Sequence, residues 1–225
     1  MTPTRSEIEA LLAEHTFKYQ RVELPYGLVT PGEDRRPTAD LVMPESLEGR
    51  SVLDVGCHVG YFCFEAERRG ATRVLGTEIN RERLDQAKLL KSVLESRADF
   101  ELRNVLSERA DEQFDLVLAL NVIHHVRDPF AAIKALAALT RWRLALEFPT
   151  FDDPKYRHAH GLEAPELYNR QPLVGMVGKR DTKIVFAPAA IEYTIRYLHG
   201  KPLFSSVEFA RSPKATRMIA ICEKD

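Results

Sequence analysis

The sequence has few cysteines and no long apolar run, and these shortages exclude several classes of protein. Only three cysteines occur in 225 residues, and no two of them are spaced C-x-x-C. We therefore expect neither a disulfide framework nor a zinc site made of cysteines. We expect a reducing, cytoplasmic location. No apolar stretch approaches the ~20 residues that span a bilayer. The N-terminus has acidic residues where a signal peptide would be basic and apolar, so we expect no membrane partner.

The chain also lacks an excess of charge of either sign. Its 32 basic and 33 acidic residues give a net charge of −1. This balance argues against a strongly basic nucleic-acid-binding module, although a local basic patch is compatible with it. With 44% hydrophobic and 29% charged residues, the composition is that of an ordinary globular protein. The length suits one well-buried domain with an extension.

The stretch Val52–Gly60 is the strongest local pattern in the sequence. Its apolar start predicts a buried strand, its two glycines predict a tight turn, and a helix is predicted to begin at Tyr61. A second predicted strand, Arg73–Glu78, ends in an acid that can accept hydrogen bonds from both hydroxyls of a ribose. The turn is spaced D-x-G-x-x-x-G from Asp54, and the G-x-G-x-x-G turn of nicotinamide dehydrogenases is missing. In this pattern the chain resembles the class I S-adenosylmethionine (SAM)-dependent methyltransferases from about Arg50 onward.

Alternating strand and helix signals predict an α/β protein with a mostly parallel sheet. The last two predicted strands, Ser206–Arg211 and Thr216–Glu223, are so close in sequence that they must pair antiparallel. The resemblance implies a Rossmann-like class I methyltransferase fold with a seven-stranded sheet ending in this hairpin. We predict a lid-like N-terminal extension over 1–49 and a SAM-binding domain over 50–225. Within that domain, the proline-rich and irregular stretch 149–187 is predicted to be a substrate-facing insertion.

The resemblance also implies which residues bind the cofactor. Asp54 would accept from the methionine ammonium group, Glu78 would bind the ribose hydroxyls, and Ile79 would cover the adenine. Two positions depart from the family: His58 stands where a third glycine is common, and Asn104 stands where an aspartate usually meets the adenine amino group. The other implied cofactor-binding residues are Gly56, Cys57, Gly60, Tyr61, Val105 and Asn121.

The loop after the fourth predicted strand contains two adjacent histidines, His124 and His125. In the family this loop lines the site of methyl transfer. One interpretation is that a histidine removes a proton from the acceptor, because imidazole titrates near neutral pH. The other, which we favour, is that both only shape the loop, because methyl transfer depends mostly on alignment. His158 and His160 lie two residues apart without a third ligand fixed by spacing, so no metal site is predicted.

Three functions stay open. The first is methyl transfer from SAM to a small or medium-sized acceptor, more often at oxygen. The second is modification of tRNA, because the core also resembles the tRNA wobble-uridine carboxymethyltransferase-like group, which uses carboxylated SAM; Arg35, Arg36, Arg81 and Arg83 would then contact phosphates. The third is a non-catalytic SAM-binding module. The sequence does not define an oligomeric state.

The segment between Phe17 and Pro37 is rich in aromatic residues and prolines. It is predicted either to complete the core or to form a lid, and the two roles are compatible. In the lid, four side chains would face the pocket: Tyr19, Tyr26, Arg35 and Arg36.

Overall fold

The structure, a computed structural model, describes residues 3–107, 112–178 and 183–225. They divide into two compact units, Met1–Val105 and Leu106–Asp225. This division does not test the predicted boundary near residue 50, which stays a prediction.

The first unit consists of an N-terminal extension followed by three parallel strands with helices between them. The elements are α1 (Arg5–Glu14), α2 (Arg36–Val42), β1 (Ser51–Val55), α3 (Tyr61–Arg68), β2 (Arg73–Glu78), α4 (Arg81–Leu94) and β3 (Asp99–Leu102). The strands lie in the order β3-β2-β1.

Local sequence signals fix the ends of these helices. Thr4 and Glu7 form a reciprocal capping box at the start of α1. The Asn80 side chain accepts from the Arg83 N–H and caps α4. Gly60, with φ of 91°, ends the turn after β1 and starts α3. Both α3 and α4 pack on β2, so β1 and β2 are covered and their apolar side chains are buried.

The second unit begins with two parallel strands and ends with an antiparallel hairpin. The elements are β4 (Phe114–Leu120), a 3₁₀ turn (Ile123–His125), α5 (Pro129–Leu139), β5 (Thr140–Pro149), α6 (Pro154–His160), α7 (Pro165–Asn169), β6 (Val174–Val177), β7 (Lys183–Phe186), α8 (Pro188–Tyr193), a π-helical segment (Thr194–Leu198), β8 (Ser206–Arg211) and β9 (Arg217–Glu223). Strand β5 pairs parallel with β4 and antiparallel with β9, which pairs antiparallel with β8. The β6–β7 hairpin forms a separate sheet.

The strands give a seven-stranded sheet in the order β3-β2-β1-β4-β5-β9-β8. This sheet is mostly parallel and ends in the antiparallel hairpin, so the predicted Rossmann-like α/β fold is confirmed. No helix within 3–107, 112–178 and 183–225 is both long and apolar enough to cross a membrane.

The stretch 149–187 is more regular than predicted. Its described part contains α6, α7 and the β6–β7 hairpin, and residues 179–182 lie outside the described residues. The prediction of irregularity rested on prolines, but Pro154 and Pro165 each occupy the first position of a helix. Proline fits there because the N–H that it lacks would have no partner within the helix.

Candidate functional site

The first functional element is the glycine turn, defined as residues 56–60 between β1 and α3. Gly56 and Gly60 have φ of 72° and 91°, in the left-handed region that favours glycine. A Cβ atom on Gly60 would also lie 2.8 Å from the Phe100 ring. Glycine is therefore required at position 60 both by the backbone conformation and by packing.

Several N–H groups of the glycine turn are used within the protein. Gly56 and Cys57 both donate to the Thr77 carbonyl, at 2.8 and 3.0 Å, and Gly60 donates to the Cys57 carbonyl at 2.9 Å. The two hydrogen bonds to Thr77 attach the turn to the end of β2, and the third closes the turn itself. The Cys57 side chain is fully buried, so only its backbone can reach a ligand.

Two further N–H groups of this region donate to side chains. The His58 N–H donates to Glu78 Oε2 at 3.2 Å, which joins the turn to the acid at the end of β2. The Tyr61 N–H, at the first position of α3, donates to Gln20 Oε1 at 3.3 Å. The N-terminal extension therefore reaches the start of α3.

Asp54 is a buried acid at the carboxyl end of β1. Only 2% of its surface is exposed, and the Cys63 thiol donates to Oδ2 at a distance of 3.7 Å. Burial raises the pKa of Asp54 to about 7, whereas the positive charge of Arg35 acts to lower that pKa. A cation bound beside Asp54 would favour its charged form.

Glu78 lies at the end of β2, where backbone N–H groups orient its carboxylate. Its Oε1 accepts from Ile79 N at 2.8 Å and from Asn80 N at 3.0 Å. Its Oε2 accepts from His58, and the residue is 4% exposed. A carboxylate has about four acceptor positions, so it can still accept from a ligand hydroxyl.

An apolar side chain stands in solvent immediately after Glu78. Ile79 is 72% exposed, which provides a surface on which a flat aromatic ring can pack. Asn104 is exposed, whereas Val105 and Tyr61 are buried.

These residues fit a ligand that combines an ammonium group, a ribose and an adenine. Asp54 offers a buried carboxylate for a cation, Glu78 offers an oriented carboxylate for hydroxyls, and Ile79 offers an apolar face. The two acids follow neighbouring parallel strands, whose carboxyl ends share one edge of the sheet.

The second unit holds the predicted histidine loop. The structure buries His124 and exposes His125, with their ring centroids 4.0 Å apart. Burial, followed by electrostatic interactions with His125, Arg217 and Lys183, lowers the pKa of His124 to about 2. His124 therefore stays neutral at physiological pH, and its buried ring packs within the loop.

A buried acid supports the start of this loop. Glu147, on β5, is fully buried and accepts hydrogen bonds from the Asn121 side-chain amide and the Ser212 hydroxyl. The Asn121 backbone N–H also donates to the Glu147 carbonyl at 2.9 Å. Asn121 adopts φ of 63°, which asparagine tolerates better than most residues.

The four predicted lid residues have different environments. Arg35 is buried, with its guanidinium 5.6 Å from the centroid of the Phe62 ring. Arg36 is at the surface and pairs with Asp34. Tyr26 is exposed and donates to the Pro3 carbonyl at 3.3 Å. Tyr19 contacts the His58 ring at a centroid distance of 5.1 Å.

The pair His158 and His160 lies on α6. The His160 ring forms a hydrogen bond with the Met176 carbonyl at 2.8 Å. Within the described ranges, no three histidine, cysteine or acidic side chains come together as a metal-binding group.

Two residues, one in each unit, were not predicted from the sequence. Gln20 and Glu147 are buried polar residues whose partners, Tyr61 and Asn121, are far away in the sequence. No local pattern marks them, because their roles depend on tertiary contacts.

Comparisons with known proteins identify similar methyltransferases. Residues 53–142 match the family described as methyltransferase domain. A ubiquinone biosynthesis O-methyltransferase from Neisseria meningitidis serogroup C (strain 053442) is 32% identical over 151 residues, which cover 64% of this chain and 61% of the relative. A tRNA U34 carboxymethyltransferase from Campylobacter hominis is 33% identical over 91 residues, covering 40% of this chain and 32% of the relative.

Among solved structures, the N-terminal domain of EvdMO1, crystallised in the presence of S-adenosylhomocysteine (SAH) and D-fucose, has the same fold. Its TM-score is 0.71 at 20% identity, with coverage of 100% of this chain and 98% of that chain. The sequence relatives are matched over less of their length: the chain spans 61% of the Neisseria protein and 32% of the Campylobacter protein.

Proposed function

Because the chain belongs to the class I SAM-dependent methyltransferases, we propose that it transfers the methyl group of SAM to an oxygen atom of a small or medium-sized acceptor. The observation that carries this proposal is the pair of acids beside the glycine turn. Asp54 is a buried acid whose pKa is raised by that burial, and Glu78 is held by hydrogen bonds from three backbone N–H groups. A ligand with a cationic end and a ribose satisfies both acids.

In the proposed complex, SAM supplies a methyl group on a positively charged sulfur. Asp54 pairs with the ammonium group, Glu78 accepts from the ribose hydroxyls, and Ile79 covers the adenine. Asn104 accepts from the adenine amino group, and Gly56 and Gly60 allow close approach of the backbone. These contacts hold the donor in one orientation, which is the main requirement of methyl transfer.

His125 is the side chain that we propose for proton removal. When the acceptor hydroxyl gains the methyl group it becomes a methyl ether and loses one proton, and SAH is the other product. His124 cannot take that proton at neutral pH, because its pKa is lowered to about 2. The exposed His125 lies beside it in the 3₁₀ turn that follows β4.

The preference for oxygen draws support from the relatives. The Neisseria protein, 32% identical over 151 residues, is named as an O-methyltransferase.

A decisive experiment is incubation of the full chain with tritium-labelled SAM and a panel of phenols, sugars and amines. We expect label in the methyl ethers of one hydroxyl-bearing class and SAH formed in equal amount. Transfer to amines alone would refute the oxygen assignment, and no SAH from any acceptor would favour a non-catalytic SAM-binding module.

A second candidate function is modification of a tRNA wobble uridine with carboxylated SAM. The Campylobacter relative supports it. So does the exposure of Arg81 and Arg83 in the first turn of α4, directly after Ile79. Among the described residues neither arginine forms a salt bridge, so both are available to phosphates.

The two functions differ in their dependence on salt. Binding of tRNA through phosphates should weaken steeply as salt rises, and the R81A/R83A double variant should have a smaller salt slope. Mass spectrometry of the cofactor that co-purifies separates them further. Carboxylated SAM would favour the tRNA function, whereas SAM or SAH would favour a small acceptor.

A further inference from the structure

Tyr19, from the N-terminal extension, contacts His58 in the glycine turn, and both residues have strained backbone conformations. Tyr19 and His58 have φ of 77° and 56°, a left-handed conformation that is unfavourable for residues other than glycine. Their rings are in contact, with a centroid distance of 5.1 Å and an interplanar angle of 32°. Strain of this kind persists only where surrounding contacts hold it, and it is common at ligand-binding sites.

Tyr19 stands at one end of a hairpin-like segment that we define as residues 19–33. Its backbone is closed by hydrogen bonds between Tyr19 and Glu33 at 3.1 Å and between Thr30 and Val22 at 3.0 Å. Val22 is buried, which anchors the segment to the first unit. The backbone of residues 19–33 is therefore held in place by hydrogen bonds and by the burial of Val22.

Side chains of this segment reach both ends of the glycine turn. Tyr19 contacts His58 inside the turn, and the adjacent Gln20 accepts from the Tyr61 N–H where α3 begins. The Tyr19 ring is 37% exposed and the His58 ring is partly exposed, so their contact lies near the surface. His58 also adjoins the acid that would bind the ribose, because its N–H donates to the Glu78 carboxylate at 3.2 Å.

We propose that Tyr19 and His58 form a side-chain gate over the glycine turn, which opens to admit the cofactor and slows its release. This inference rests on the proposed function, because it takes the glycine turn and Glu78 as the cofactor site. It also gives a role to His58, which replaces a glycine common in the family. Burial, followed by the charge of Arg83, lowers the pKa of His58 to about 4, so the ring is neutral at physiological pH. A neutral ring favours stacking on tyrosine without a charge to desolvate.

The test compares the release of bound ligand from full-length variants. Tritium-labelled SAM is bound, chased with unlabelled SAH, and the dissociation rate is measured by filter binding. Y19A removes one ring, and H58N removes the other while keeping a residue that tolerates the left-handed conformation. We expect each variant to speed dissociation about three- to tenfold, the range for loss of an aromatic pair.

A matched control and a double variant isolate the gate. Tyr26 also belongs to residues 19–33 and also has a left-handed φ of 62°, but it bonds to Pro3, so Y26A should dissociate like the wild type. The Y19A/H58N double variant should be no faster than either single variant, because both remove the same contact.

Each outcome has a distinct meaning. Unchanged rates in Y19A and H58N, effects that multiply in the double variant, or an equal effect of Y26A would overturn the gate while leaving the cofactor site intact. A wild-type protein that binds neither SAM nor SAH in calorimetry would overturn the proposed function and the gate with it. Circular dichroism melting confirms that each variant is folded.

Discussion

We predict that the binding of SAH depends on pH through Asp54. In the ligand-free protein, burial raises the pKa of Asp54 to about 7, so half of its carboxyl groups are neutral at that pH. In the proposed complex the ammonium group of the ligand requires the ionised carboxylate. Affinity should therefore rise as the pH increases toward 7, and binding should release a proton.

The size of the effect follows from the ionised fraction of Asp54. With a pKa of about 7, about 3% of the carboxyl groups are ionised at pH 5.5 and about half at pH 7. If only the ionised form binds, the affinity for SAH rises about 16-fold between these two values, or about 1.7 kcal/mol. Between pH 5.5 and 7, His58 and His124 stay neutral, because their pKa values are lowered to about 4 and about 2.

Isothermal titration calorimetry with SAH measures both consequences. Titrations from pH 5.5 to 7 give the affinity, and buffers with different ionisation enthalpies give the proton release, which should be about 0.9 per SAH at pH 6. The control is D54N, which cannot ionise and should bind weakly with little dependence on pH. Equal pH slopes in the two proteins, or tighter wild-type binding at pH 5.5 than at pH 7, would refute the role of Asp54.

The same group affects the stability of the ligand-free protein in the opposite direction. Its folded pKa of about 7 exceeds the ordinary aspartate value of about 3.9, so between these values the folded state binds more protons than the unfolded state. The free energy of unfolding should therefore fall as the pH rises through this range, by about 1.4 kcal/mol per unit at most. Urea unfolding of the wild type and D54N measures this difference.

Three other substitutions test the site. E78A should weaken SAH binding by about 1–3 kcal/mol, because it removes a charged acceptor of hydrogen bonds. The control variant E101A, on the exposed side of β3, should bind SAH like the wild type. Equal affinities of E78A and the wild type in calorimetry would remove Glu78 from the site. G60A should lower the free energy of unfolding by about 2–4 kcal/mol, because its Cβ would lie 2.8 Å from Phe100 at φ of 91°. The control is G161A, which has φ of 61° but open space, and a similar loss in both would contradict the role of packing. H125N should lower kcat about 100-fold without changing SAH affinity, and a kcat within twofold of the wild type would leave His125 only shaping the loop.

The order of strands and helices follows from local sequence signals. The run Val52–Val55 is apolar enough for a buried strand, and Gly56 and Gly60 supply the left-handed residues of the turn that follows. The short connection from Arg211 to Arg217 forces an antiparallel hairpin. Each of these features depends on a few adjacent residues, so the sequence alone predicts the alternation of strands and helices, the terminal hairpin and the position of the glycine turn, and the family resemblance adds the Rossmann-like sheet.

Local sequence signals predicted the structure wrongly where one residue type occurs in two kinds of structure. The prolines of 149–187 predicted irregular structure, yet Pro154 and Pro165 start helices, because proline suits the first helical position as well as a loop. Likewise, two adjacent histidines do not reveal which one is buried. Packing buries His124 and leaves His125 exposed.

The fold class, the glycine turn and the two acids that follow neighbouring strands can be read from the sequence. The electrostatic state of Asp54 cannot, because its pKa of about 7 results from burial in the folded protein. Only the tertiary structure decided that Gln20 and Tyr19 lie against the start of α3 and His58. Such contacts join residues separated by some forty positions, and no local periodicity records them, since they form only when the chain has folded.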